Sequence, residues 1–380
     1  MSSTTTERPG TATHVARLQD IMKRKSLDAV VVSSYQNVSY FAGTYLSTQI
    51  SLPDRLAFLV VPREQPPTLL VCGIETRQVL TQTDIEDVRD YVEFAENPTE
   101  ILGQILEERG LAGGSIGIDG RRLPVVSADL LRDRLRGAEL VAIDDDIELA
   151  QSVKDRWEID TLEKAAKATL AAAEETAAEL PPGSTERDFS TMVFLKLMEK
   201  GGSPLFQVFA TGERTMQAHP ETSDRRLEPG ILWRIDFGAR FSEVINSDLA
   251  RTGVVGEPSA EQEATLKALR ATQDAGFRAI EPGRKAKDVF EAVKAEFKSQ
   301  GLPFGMPHIG HGMGIGLHEF PMLEPGCDIE LQVGMVLNIE PMVVMEDRKE
   351  AYHTEDLAEV TETGARLLTP PQERLLRVRA

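Results

Sequence analysis

Six histidines occur in the chain, and five of them, His219, His308, His311, His318 and His353, fall between residues 219 and 353. Three of these share a short stretch, His308-Ile309-Gly310-His311-Gly312-Met313-Gly314-Ile315-Gly316-Leu317-His318. Clustered imidazoles suit metal ligation or proton transfer. The alternating glycines do not have the Gly-x-Gly-x-x-Gly spacing of a dinucleotide site. They instead let one face of a strand come close to another group. Upstream, Asp236 interrupts the apolar strand Ile231–Phe237, although a buried, unpaired carboxylate is costly. Asp248 follows in Asn246-Ser247-Asp248-Leu249. A hairpin turning at residues 241–243 pairs Arg240 with Val244, Gly238 with Asn246 and Asp236 with Asp248. Such opposed residues have Cβ atoms about 4.5–5.5 Å apart. Carboxylates that close repel one another and raise a pKa, unless a cation lies between them.

Two further acids end or begin apolar strands: Glu340 after Leu337-Asn338-Ile339, and Glu355 before Asp356-Leu357. Asp236, Asp248, His311, Glu340 and Glu355 together form an oxygen-rich set with one imidazole. That set suits two divalent ions such as Mn, Co, Fe or Zn better than one structural zinc. A water bridging two such ions ionises near neutral pH and becomes a nucleophile.

The surrounding elements must hold these groups in place. Residues 14–150 alternate helical and strand patterns, with a helix over His14–Leu27 and strands at Ala29–Val32, Leu56–Val61 and Leu69–Cys72. A helix at Thr99–Arg109, a strand from Ser115, a helix at Ser127–Arg136 and a strand at Leu140–Ile143 follow, an α/β pattern. The Ser/Thr-rich residues 1–13 read as a disordered tail. A long Ala/Glu-rich helix stops at Pro181-Pro182-Gly183 and opens a second domain, placed at residues 151–380. That domain runs through a helix (Glu186–Gly201) and strands Phe206–Ala210, Ile231–Phe237 and Val244–Thr252. Two helices (Glu261–Ile280, Ala286–Gln300) and more strands near Met335–Ile339, Val343–Met345 and Leu357–Val360 follow. Strands followed by helices, twice over, suggest an α+β domain of two related halves.

Composition sets outer bounds. The 380 residues carry a formal charge of −19, and 41% of them are hydrophobic. The first figure argues against an electrostatic grip on nucleic acid or anionic lipid. The second allows a sizeable core. No apolar run approaches the roughly 20 residues of a membrane span. Cys72 and Cys327 do not make a disulfide framework and read as free, buried thiols in a reducing cytoplasm.

The order Asp-Phe-Gly, Ser-Asp, Gly-His-Gly with a later His-Glu, Ile-Glu-Pro-Met, and Glu-Asp before Thr-Glu-Thr-Gly resembles a metallopeptidase family. That family contains methionine aminopeptidases, Xaa-Pro aminopeptidases and prolidases, and creatinase shares its fold. The likeness covers roughly residues 155–370. Gln36-Asn37-Val38-Ser39-Tyr40-Phe41-Ala42-Gly43 also resembles a segment of the smaller domain in the prolidase and creatinase branch.

The resemblance implies a pita-bread α/β (α+β) fold behind a smaller, creatinase-like N-terminal α/β domain at residues 14–150. It implies two divalent ions held by Asp236, Asp248, His311, Glu340 and Glu355, with Glu340 also the proton shuttle. His219 and His318 match outer histidines that orient substrate and stabilise a tetrahedral intermediate. His308 matches a supporting position. A homodimer is implied as well. The expected reaction is hydrolysis of an amide, the Xaa-Pro bond of a dipeptide or short peptide. One alternative is the same fold acting on a small non-peptide compound such as ectoine or creatine, and another is a non-catalytic binding protein. Creatinase-like chemistry does without metals, so the intact ligand set counts against it. Three positions depart from the family pattern. The aspartates stand 12 apart (248 − 236), one more than is usual. Ala250 replaces a frequent Thr. His353 stands where prolidase-like enzymes often carry Arg, near the substrate end, which points to an altered or a pH-sensitive specificity; the alternative is a ring that points away from the site.

Overall fold

The computed structural model describes residues 8–242 and 244–380. The chain divides into two compact units, the first ending at Gln151 and the second beginning at Ser152.

The first unit contains, in order, α1 (Thr11–Lys25), β1 (Ala29–Val32), α2 (Tyr35–Ala42), α3 (Ser47–Ser51), β2 (Phe58–Pro62), β3 (Thr68–Cys72), α4 (Thr76–Gln82), β4 (Asp87–Tyr91), α5 (Pro98–Glu108), β5 (Ser115–Ile118), α6 (Val125–Arg134), β6 (Glu139–Ala142) and α7 (Asp144–Ser152). Its mixed sheet has the order β4-β3-β2-β1-β5-β6. β1, β2 and β3 are buried throughout, which is why they read as continuous apolar runs. The first helix corrects the expected tail. It begins at Thr11, not His14, because the Thr11 backbone N–H donates to the Asp84 carboxylate at 3.2 Å. Residues 1–7 of that tail lie outside the described residues. Asp119 is buried and accepts from the Ser33 and Ser34 backbone N–H groups and from Asn37 Nδ2. This ties β5 to the start of α2, the segment carrying the Asn37–Gly43 motif.

The second unit contains α8 (Arg156–Glu179), α9 (Glu186–Glu199), β7 (Ser203–Thr211), β8 (Leu232–Phe241), β9 (Ile245–Asn246), β10 (Leu249–Val255), α10 (Ala260–Ala279), α11 (Ala286–Ser299), β11 (Gly310–Gly312), β12 (Val336–Ile339), β13 (Met342–Met345), β14 (Glu350–His353), β15 (Asp356–Thr361), β16 (Gly364–Leu367) and β17 (Leu376–Val378). One sheet runs β17-β10-β8-β7, with β9 on β8, and a second runs β11-β12-β15-β16. Each sheet has its own pair of long helices, joined by matching turns. Pro182-Gly183 and Pro282-Gly283 put glycine at φ 77° and 83°, where a side chain would be strained. A capping box then starts α9 at Thr185 with Asp188, and at the start of α11 the Asp288 carboxylate accepts the Lys285 N–H at 3.2 Å. Two related halves are therefore visible in the backbone.

Packing against the helices decides which way the acids face. On β8, Trp233 lies against Phe189 of α9 with ring centroids 5.0 Å apart, and Phe189 stacks on Phe209 of β7 at 4.1 Å. Alternation then sends Arg234 and Asp236 to the other face. On β12, Leu337 and Ile339 join the core formed by α10 and α11, and Asn338 takes the opposite face. The interior also holds an ion pair. Arg251 Nη2 and Asp356 Oδ1 are 2.6 Å apart and almost fully buried. Arg251 Nη1 donates to the Glu355 carbonyl at 2.7 Å, and Thr369 and Gln273 donate to Asp356. Arg251→Met strands the Asp356 carboxylate and is expected to destabilise the protein by about 3–5 kcal/mol. Urea unfolding monitored by tryptophan fluorescence checks this.

Candidate metal centre

The structure brings Asp236, Asp248, His311, Glu340 and Glu355 together. Ligand atoms of Asp236, Asp248 and Glu355 lie within 4.8 Å of one another. So do those of His311, Glu340 and Glu355, and those of Asp248, His311 and His318. Asp248, His311 and Glu355 each belong to two of these groups, so the groups adjoin. Backbone pairing holds the set. The Glu355 N–H donates to the Ala250 carbonyl at 3.1 Å, and the Glu340 N–H to Ile309 at 2.9 Å. His311 opposes Asn338 in the β11–β12 ladder.

The hairpin register differs from the expected one. Phe241 pairs with Ile245, one residue later than the expected pairing of Arg240 with Val244; Glu243 lies outside the described residues. Asp236 consequently opposes Ala250. Asp248 falls in the gap between β9 and β10, diagonal to Asp236 on the same face. Val244–Thr252 is thus not one unbroken strand. Ser247 makes the interruption: its hydroxyl accepts from the Ala239 N–H at 3.0 Å, in place of a ladder carbonyl. The displaced Ser247 carbonyl occupies the position a Cβ of residue 238 would need, so glycine is required there. Cys327 also differs from expectation, being half-buried where a buried thiol was expected, and both cysteines are unpaired.

The outer histidines take distinct positions. His318 is exposed, and its ring stacks on His311 with centroids 4.1 Å apart. His308 Nδ1 is 3.3 Å from Glu340 Oε1. His353 is buried, with Nε2 3.7 Å from Glu340 Oε2 and Nδ1 4.0 Å from Asp236 Oδ2. His219 is exposed on the segment after the 3₁₀ turn Gly212–Met216. Arg234, buried two residues before Asp236, fastens that segment through the carbonyls of Thr215 (2.7 Å), Ala218 (2.8 Å) and Gln217. Sequence reasoning missed Arg234 in this role, and it missed the Arg251–Asp356 pair. Their signal was present: each is a charge within a strand of mostly apolar or small residues.

The electrostatics are those of a site built for cations. Burial pushes the Asp248 and Glu355 carboxyls well above the usual carboxylate range, and the neighbouring carboxylates push the same way. Burial raises Asp236 too, against the pull of His353. It lowers the His311 imidazole to about 4. At Glu340 burial acts upward, but His308, His353 and His311 prevail and hold it below its ordinary value. Asp248 Oδ1, Glu355 Oε1, Glu340 Oε1 and His311 Nε2 are all buried without a hydrogen-bond partner. Buried polar atoms are seldom left so. Four orphaned acceptors in adjoining groups fit divalent ions.

The profile of metallopeptidase family M24 matches residues 160–362, more than half of the chain. The chain belongs to metallopeptidase family M24. Residues 14–152 match the creatinase/prolidase N-terminal domain. The Xaa-Pro dipeptidase of Pyrococcus furiosus is 29% identical over 367 residues, covering 95% of this chain and 98% of that one. The prolidase from Pyrococcus horikoshii OT3 superposes with a TM-score of 0.81 at 26% identity, covering 96% of this chain and 99% of that one. The dipeptidase PepE from Mycobacterium ulcerans gives 0.84 at 26% identity, covering 97% and 98%. The fold of this M24 protein is accordingly the pita-bread fold with a creatinase-like N-terminal domain, and the protein is a metallopeptidase. No helix among the described residues is long and apolar enough to cross a membrane.

A metal-free site of this kind costs stability. Carboxyls whose pKa rises on folding bind more protons in the folded state. Metal-free stability therefore falls as pH rises above the ordinary carboxylate range of about 4. Asp248→Asn and Glu355→Gln are expected to raise the Tm of the chelator-treated protein and flatten that slope. The same variants lose the stabilisation that Mn or Co gives the wild type. Differential scanning calorimetry with and without metal checks both signs.

Proposed function

We propose that this metallopeptidase hydrolyses the Xaa-Pro bond of dipeptides or short peptides at a two-metal centre. The observation that carries the reading is the ligand set itself: five side chains in adjoining groups, with four buried atoms lacking partners. The Xaa-Pro dipeptidase and prolidase relatives, matched over nearly their whole length, support the substrate class. Asp236, Asp248 and Glu355 would hold one ion, and His311, Glu340 and Glu355 the other. Mn, Co, Fe and Zn all suit these donors. Bound there, two divalent ions supply an acidified water as nucleophile and polarise the scissile carbonyl.

The chain's own groups do the rest. Glu340 moves a proton from the nucleophile to the leaving proline nitrogen. His219 and His318, both exposed and both on loops, orient the peptide and stabilise the tetrahedral intermediate. His308 supports Glu340 from 3.3 Å. His353, between Asp236 and Glu340, borders the substrate and shapes specificity. Proline lacks an amide N–H and fixes φ, so ordinary peptidases handle its bonds poorly while a dedicated cleft can grip the rigid ring. The unpaired cysteines fit a reducing cytoplasm. The likeness of the first unit to the prolidase branch supports a homodimer.

Mn- or Co-loaded protein is expected to cleave Xaa-Pro dipeptides in a panel that also includes longer Xaa-Pro peptides, creatine and ectoine. Glu340→Gln is expected to lower kcat by about 10²–10⁴-fold. Turnover of ectoine or creatine with the peptides left intact would overturn the substrate reading. An absence of bound metal by elemental analysis, with Asp248→Asn unchanged in every assay, would overturn the enzymatic one.

A further inference from the structure

Lys154 lies in the short stretch between residues matched by the N-terminal domain profile and those matched by the M24 profile. Its ammonium is buried, with the side chain 2% exposed, and sits 2.5 Å from Glu319 Oε2. Glu319 follows His318 directly, and its other oxygen accepts the Gly316 N–H at 2.7 Å. Backbone bonds join Gly312 and Glu319 in both directions, at 3.0 and 2.9 Å, and close residues 313–318 into a loop. Asn246 holds the same loop through the carbonyls of Gly314 (2.9 Å) and Ile315 (2.5 Å).

The glycines of this loop are shaped to the ion pair. A Cβ on Gly314 would lie 2.5 Å from Glu319 Oε2 and 2.9 Å from Lys154 Nζ. One on Gly316 would lie 3.1 Å from Glu319 Cγ. The loop is folded round the Lys154–Glu319 pair, and Gly314 and Gly316 leave the room the pair needs. A buried ion pair adds little to stability, because desolvation offsets the attraction. It does admit few alternative arrangements of the groups that hold it.

We infer that Lys154 and Glu319 are positioning residues, which fix the 313–318 loop so that the His318 ring stays stacked on His311 over the metal-ligand cluster. Lys154 is too deeply buried to meet a substrate, and it reaches the loop through Glu319. The inference rests on the proposed role of His318 in hydrolysis, and its test separates the two.

The full-length protein is loaded with zinc, which is diamagnetic, and labelled with 15N-histidine. The His318 signal is assigned by its absence in His318→Ala. Lys154→Met alone strands the Glu319 carboxylate and is expected to lower Tm. The double variant Lys154→Met/Glu319→Gln removes both charges, keeps an acceptor for Gly316, and is expected to fold. In it the His318 signal should shift or broaden, zinc affinity should stay unchanged, and kcat for an Xaa-Pro dipeptide should fall about 100-fold with KM little altered. A His318 signal identical to wild type overturns the inference. So does a loss of zinc affinity parallel to the loss of kcat, which would make the pair a support of the whole centre. If the wild type cleaves no Xaa-Pro peptide, the function reading fails, and the histidine signal decides the positioning role by itself.

Discussion

Four carboxylates crowd one interior: Asp236, Asp248, Glu340 and Glu355, in overlapping groups whose ligand atoms fall within 4.8 Å. Nothing in their own chemistry holds them there, since like charges repel and burial favours neither. The force is supplied from outside the cluster, by apolar packing on the far faces of two sheets. Trp233, Phe209 and Phe189 on one side, and Leu337 and Ile339 with the α10–α11 core on the other, fix the strands. The acids are carried along on the reverse faces. The centre is thus held under electrostatic strain by hydrophobic burial, and a cation is what relieves it.

The two halves of the second unit share this work in a regular way. Asp236 and Glu340 come at or just beyond the same point of their central strands, each with a polar residue two positions earlier, Arg234 and Asn338. Asp248 and Glu355 each sit just before the returning strand, Asp248 ahead of β10 and Glu355 ahead of β15. The likeness stops at chemistry. Arg234 secures a loop through three carbonyls, whereas both amide atoms of Asn338 are buried without a partner. Only the second half carries the glycine loop and its histidines. A duplicated scaffold therefore supplies the symmetric carboxylates, and the imidazoles, with His219 and His318 exposed, are asymmetric.

Much of this was legible in the sequence, for physical reasons that differ between residues. Ala29–Val32 was readable as a strand because a fully buried strand is a continuous apolar run. Asp236 was readable as a candidate ligand because an acid inside a largely apolar strand demands an explanation. The long helix was readable from its composition and its Pro-Pro-Gly stop, and its start is fixed by a capping box between Asp155 and Glu158. β4, Asp87-Val88-Arg89-Asp90-Tyr91, was not readable, because its sheet-edge position leaves it mostly half-exposed and its alternation is masked by charge. The two related halves were legible only as a doubled order of strands and helices, because their clearest mark in the chain is a pair of Pro-Gly turns. Those residues recur in backbone role, while the surrounding side chains do not match.

The hairpin shows where sequence reasoning stops in principle. In an antiparallel pair the sum of opposed residue numbers is constant, so residues 12 apart share a face in any register with an odd-length loop. That parity was readable, and it put Asp236 and Asp248 on one face correctly. Which residues oppose was not, because moving a three-residue loop by one position changes the partner by two and keeps every face. The structure chose the register in which Asp236 meets the small Ala250 and Asp248 lies beside Gly238. In the other register the two carboxylates would stand directly opposed, at the shortest cross-strand distance. The diagonal arrangement separates them further while both keep a ligand atom within 4.8 Å of Glu355, a spacing that suits a cation better than a shared proton.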